Sequence, residues 1–166
     1  MSSMTNDVTL PGIRGPRHRR WIWWTGGIVG GLALVAAVLV AAMLYHMNYV
    51  PADLDVSTTK LSAQALYRGT IEPGADPIPI NQLHTWTVHL ETPDGQPVED
   101  ATMTVDGDMP QHGHGLPTQP LVTQYLGNGD YLVEGMKFQM TGWWYVEFAI
   151  THAGQQDTMR FDMILK

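Results

Sequence analysis

The chain has 166 residues, 44% of them apolar, and no cysteine. That is about one domain's length, with disulfide staples, thiolate metal sites and cysteine nucleophiles excluded. Residues 1–20 carry four arginines against one aspartate, whereas residues 50–166 carry five Lys or Arg against fifteen Asp or Glu, a net −10, which argues against a nucleic-acid ligand.

The first element in chain order is an uncharged run of 25 residues from Trp21 to Tyr45, closed by His46. As a helix it would span ~37 Å, more than the ~30 Å hydrocarbon core of a bilayer. Trp21, Trp23 and Trp24 at one end and Tyr45 with Tyr49 at the other fit the aromatic belts of the two interfaces. Arg14, Arg17, Arg19 and Arg20 precede the span, so the positive-inside rule places residues 1–20 in the cytoplasm and the rest in the periplasm of a bacterial inner membrane. A cleaved signal peptide is the competing reading, since Val40-Ala41-Ala42 resembles a cleavage site. The apolar run is long for such a segment, however, and the helix is expected to be retained. Gly26, Gly27, Gly30, Gly31, Ala33, Ala37 and Ala41 form a small-residue stripe containing two overlapping Gly-xxx-Gly spacings, which suits close packing against another membrane helix.

The organisation read from the sequence is therefore a basic segment (1–20), a transmembrane helix (21–46), a polar tether (47–60) and a domain (61–166). Within the domain, alternation of apolar and polar residues predicts strands over 61–69, 82–91, 100–106, 121–126, 130–136, 143–152 and 158–165. Turn residues separate them at Pro93-Asp94-Gly95-Gln96, Gly127-Asn128-Gly129-Asp130 and Ala153-Gly154-Gln155-Gln156. Trp144, Val146, Phe148 and Ile150 share one face, as do Met159, Phe161, Met163 and Leu165, and as do Trp86, Val88 and Leu90 with His84 in register. Seven short strands imply an all-β, immunoglobulin-like two-sheet sandwich, without the cysteine pair of true immunoglobulin domains.

Residues 106–120 look chosen for chemistry. Met109, His112 and His114 fall within six residues among Gly and Pro. Thioether sulfur and imidazole nitrogen suit Cu(I). His112 and His114, two apart, point to one side of an extended chain, and Met136 and Met140 lie on a segment that could fold back toward them. The plainer alternative is a stiff Pro/Gly loop that docks on a partner. Met103, Met159 and Met163 read as core packing, and His84 as a satisfied inward or rim histidine rather than a ligand. Zinc is disfavoured, because carboxylate support is limited to Asp106 and Asp108. No nucleophile motif, phosphate loop or nucleotide fingerprint is present, so no enzymatic activity is expected.

The run Met109-Pro-Gln-His112-Gly-His114-Gly-Leu-Pro117-Thr-Gln-Pro120, followed by Gly129-Asp-Tyr131 and Gly135-Met-Lys-Phe138-Gln-Met140-Thr-Gly142-Trp143-Trp144, resembles the YtkA-like and FixH-like periplasmic domains. The resemblance covers about residues 80–165. It implies a small β-sandwich behind one membrane helix, and a link to assembly of, and copper supply to, haem–copper oxidases. Two functions follow as expectations. The first is a non-catalytic accessory or assembly subunit of a larger respiratory or photosynthetic membrane complex, with the lipid bilayer, other transmembrane subunits and a basic periplasmic electron carrier as partners. The second is a copper-binding and delivery module using Met109, His112, His114 and Met140.

Overall fold

The computed structural model describes residues 18–166, with side chains from Gly27 onward. Two compact units divide between Tyr45 and His46.

The first unit carries helix α1, which runs His18–Asn48 and continues through His46–Asn48 into the second unit. Its stretch Gly27–Asn48 is long and apolar enough to cross a bilayer, although a signal sequence near an N-terminus meets the same test. Leu32, Val35, Leu39 and Met43 are all more than half exposed, as a lipid-facing or helix-facing surface requires. Ala33, Ala37 and Ala41 are exposed as well, and a Cβ added at Gly27, Gly30 or Gly31 would meet nothing within 4 Å. Arg14 and Arg17 lie outside the described residues. Arg19, Arg20, Trp21, Trp23, Trp24 and Gly26 fall in α1, but their side chains lie outside the described ones.

The second unit is all β after α1: β1 (Thr59–Leu61), β2 (Arg68–Pro73), β3 (His84–Glu91), β4 (Thr102–Met109), β5 (His114–Gly115), β6 (Leu121–Gly127), β7 (Asp130–Met136), β8 (Gly142–His152) and β9 (Gln155–Leu165). The hydrogen-bonded order is β1-β2-β3-β7-β6-β4-β8-β9, with β5 on β4. β6 and β4 meet at the single pair Thr104↔Leu121, so the path bends there into two layers, β1-β2-β3-β7-β6 and β4-β8-β9. At the other side β1 returns against β9, where the amide of Ala63 donates to the carbonyl of Thr158 at 2.8 Å. The result is a nearly closed sandwich, compatible with the immunoglobulin-like architecture expected from the sequence.

The alternating residues fill its core. Trp144, Val146, Phe148, Ile150, Trp86, Val88 and Leu90 are 0–1% exposed, and Met103, Met159, Phe161, Met163 and Leu165 join them at 0–9%. Each such apolar side chain contributes roughly 1.5–3 kcal/mol by leaving water.

Outside 61–69, strand ends shift by up to three residues from the sequence reading, β9 starting at Gln155 rather than at 158, and β5 is an added strand; two of the differences change the reading of particular residues. The strand expected over 61–69 is divided: β1 ends at Leu61, β2 begins at Arg68, and the segment between them is a turn. Ser62 and Tyr67 close it through the Ser62 amide to the Tyr67 carbonyl at 2.9 Å and the Tyr67 amide to Ser62 Oγ at 2.9 Å. Asp157 accepts the Gln64 and Leu66 amides from across the sandwich, satisfying backbone groups that a strand would have spent on a ladder. The second difference is that β4 continues to Met109, so Met109 is a strand residue rather than a loop residue.

Candidate functional site

The Met/His segment folds as a tight hairpin. Met109 pairs with His114 and Asp108 with Gly115, while the amides of His112 and Gly113 both donate to the Met109 carbonyl at 2.9 Å. Gly113 takes a left-handed φ of 64°, the conformation a glycine accepts at least cost. Asp106 and Asp108 are turned onto the backbone, accepting the amides of Gly107 and Met109 at 2.8 and 2.7 Å. Among the described residues no group of three or more His, Cys, Asp or Glu side chains is placed to hold a metal ion.

The hairpin does bring His112 and His114 together, their rings stacked with centroids 5.8 Å apart and planes at 28°. The segment after β7 folds back onto it, as its sequence suggested. Gln139 Nε2 donates to His114 Nδ1 at 3.0 Å and to the Gly115 carbonyl at 3.3 Å. Gln111 Oε1 accepts the Trp143 amide at 3.4 Å, and Gln111 Nε2 donates to the Tyr49 carbonyl at 3.0 Å. The hairpin is thereby tied to the lead-in of the domain, one residue past the end of α1.

The two methionines fare differently. Met109 is 2% exposed, in the core cluster, and its methyl carbon would lie 2.6 Å from a Cβ added at Gly142. Met140 is 37% exposed and follows directly on Gln139, and its carbonyl accepts Trp144 Nε1 at 3.0 Å.

Aromatic rings run from this hairpin toward the start of β3. His114 stands 5.9 Å from Trp144, Trp144 is 5.3 Å from Phe138, and Phe138 is 5.8 Å from His84 and 6.0 Å from Trp86. Asn81 holds the start of β3 to this wall, its amide donating to the Phe138 carbonyl at 2.7 Å and its side chain to the Gln139 carbonyl at 3.2 Å.

Hydrogen bonding distinguishes the histidines. His114 Nδ1 faces an amide donor and must accept, which leaves the neutral ring's proton on Nε2. His84 is the reverse: its Nδ1 faces the Gln82 carbonyl at 3.1 Å and must donate, so Nε2 carries the lone pair. That Nε2 is buried and without a hydrogen-bond partner, as are Trp86 Nε1 and Gln139 Oε1. The sequence placed His84 on the inward face but not as a ligand; Gln139, Phe138 and Trp144 were not singled out as site walls, because no local pattern marks residues that meet only through folding.

A family model described as YtkA-like matches residues 63–149. No curated protein sequence matches the chain. Among solved structures, the chain is similar to one described as "ZirS C-terminal Domain", at 12% identity and a TM-score of 0.35, over 98% of this chain and 86% of that one.

Proposed function

Because the chain belongs to the YtkA-like family, whose model spans more than half of it, we propose that it is a non-catalytic, single-pass membrane protein. In this reading its periplasmic β-sandwich serves as an accessory or assembly subunit of a larger respiratory or photosynthetic redox complex. The single N-terminal apolar helix followed by the β domain fits a membrane-anchored periplasmic protein. The observation that carries the finer reading is the open small-residue face of α1, where a partner helix can approach Gly27, Gly30 and Gly31 without displacing any described side chain. Other transmembrane subunits and the lipid bilayer are then the immediate partners, and the resemblance to FixH-like proteins points to oxidase assembly.

The test is a native gel of source membranes in mild detergent, with mass spectrometry of the band that contains the chain. The chain is expected to co-migrate with a large redox assembly, and a Gly27→Leu, Gly30→Leu double variant to run free of it. Undisturbed co-migration of that variant would remove helix packing as the attachment.

The geometry also favours a second reading, in which the ectodomain carries Cu(I). Paired imidazoles at His112 and His114, and the exposed Met140 on the segment that folds back onto the hairpin, offer donors of the soft kind that Cu(I) prefers. Titration of Cu(I) into the full chain in detergent against a chromophoric chelator tests it: a chain that competes supports the reading, and a chain that does not compete overturns it.

A further inference from the structure

We propose that His84 Nε2 and the thioether of Met136 form a Cu(I) site at the mouth of the sandwich, separate from the His112–His114 pair. The inference rests on the copper reading above and moves its centre from the hairpin to the start of β3.

Three features carry it. The first is the tautomer. A histidine that ligates a metal through one nitrogen characteristically donates its other N–H to a carbonyl or carboxylate, which fixes ring orientation and raises ligand basicity. His84 has this arrangement, with Nδ1 on the Gln82 carbonyl at 3.1 Å. The second is the orphaned lone pair. A buried acceptor without a partner costs roughly 1–3 kcal/mol, so a fold that keeps one requires a reason. His84 Nε2 is such an acceptor, and the Gln139 Oε1 nearer the hairpin is another.

The third is the neighbour across the ladder. His84 pairs with Met136, whose side chain is fully buried. Side chains of directly opposed residues in antiparallel strands share a face with their Cβ atoms roughly 4.5–5.5 Å apart, so a thioether and an imidazole here can meet one ion. The register shifts between the His84 and Trp86 pairs because β7 carries one residue more than β3 there, at Glu134–Gly135 (Gly135 φ 82°), and bulges are common beside functional sites. Trp86 and Phe138 stand 6.4 and 5.8 Å from the His84 ring, giving the apolar, polarizable surroundings that favour a soft monovalent cation over a hydrated divalent one. The ring lies near the surface, His84 being only half-buried and Leu83 before it 68% exposed, while Nε2 itself is buried.

Cu(I) under reducing conditions would be titrated into the full chain in detergent against a chromophoric Cu(I) chelator. Four proteins are compared: wild type, His84→Gln, Met136→Leu, and the His112→Ala, His114→Ala double variant. Glutamine keeps a donor for the Gln82 carbonyl and removes the imidazole lone pair, while leucine keeps the buried volume of Met136. The expected result is one Cu(I) on the wild type, affinity lower by about tenfold or more in each single variant, and retained affinity in the hairpin double variant. Should His84→Gln fail to fold, as judged by thermal melting, Met136→Leu alone decides the matter. Wild-type affinity in His84→Gln and Met136→Leu, with loss in the hairpin variant, would overturn this site while leaving copper on the hairpin. No competition by the wild type at all would overturn the copper reading itself, and this site with it.

Discussion

At Asp157 a carboxylate only 3% exposed organises a turn remote in sequence, accepting the amides of Thr158 at 2.8 Å and Gln64 at 3.0 Å, with Leu66 at 3.4 Å. Burial raises its pKa, but the hydrogen bonds from Ser62, Thr158, Gln64 and Leu66 together outweigh that and hold it below the usual carboxylate range. A depressed folded-state pKa contributes stability that is fully present above the unfolded value of ~4 and lost as pH falls through the folded one. Asp157→Asn is therefore expected to cost about 1–3 kcal/mol at pH 7, because it removes the charge that those donors serve. The gap between variant and wild type should narrow on acidification to about pH 3. Denaturant melts of the full chain in micelles at both pH values check this, and a gap that widened in acid would contradict it. None of this was legible in the sequence, where Asp157 was one acid among fifteen and residues 61–69 read as strand.

At the scale of elements, hairpin chemistry was legible and strand ends were not. Asn128-Gly129 and Ala153-Gly154 each take two successive left-handed residues, with φ of 51° and 83° and of 50° and 77°, as two-residue turns matched to strand twist require. The two glycines differ in what surrounds them. A Cβ at Gly129 would lie 2.5 Å from the Leu90 carbonyl oxygen, whereas one at Gly154 meets nothing within 4 Å. Both Gly→Ala changes incur the left-handed penalty of about 1–2 kcal/mol, and Gly129→Ala adds a backbone collision with β3. Thermal melting followed by Trp fluorescence should rank Gly129→Ala clearly below Gly154→Ala, and equal losses would mean that β3 shifts freely. The collision arises because the Leu90 amide donates to the Gly129 carbonyl at 2.7 Å, a contact between segments more than thirty residues apart, while the Leu90 carbonyl accepts the Val98 amide at 2.9 Å. Tyr131 similarly pins the β3–β4 connection, its hydroxyl donating to the Val98 carbonyl at 2.9 Å and accepting the Ala101 amide at 3.1 Å. Burial raises the pKa of that phenol.

For the molecule as a whole, the net −10 of residues 50–166 gives the β domain a field that attracts cations and basic proteins. If that field serves a basic electron carrier, association with a cationic soluble redox protein should weaken steeply between ~0.01 and ~0.15 M salt, as the Debye length falls from ~30 to ~8 Å. Salt-independent binding, followed by fluorescence or calorimetry, would assign the acidic surface to solubility alone.

The sequence by itself determined what depends on neighbours along the chain. An uncharged apolar run specifies a helix able to cross a bilayer, and period-two alternation specifies which residues enter the core. Asn-Gly and Ala-Gly pairs specify where strands reverse, and the Met109–Trp144 run carried the family. Only the tertiary structure decided what depends on contacts between distant segments. It bent β6 onto β4 at a single pair, turned Met109 into the core, seated Gln139 on His114, and left the His84 lone pair facing inward opposite Met136. The reason is physical: propensity and alternation act within a few residues, whereas a tautomer or a buried orphan atom is fixed by whichever group folding brings within hydrogen-bond reach.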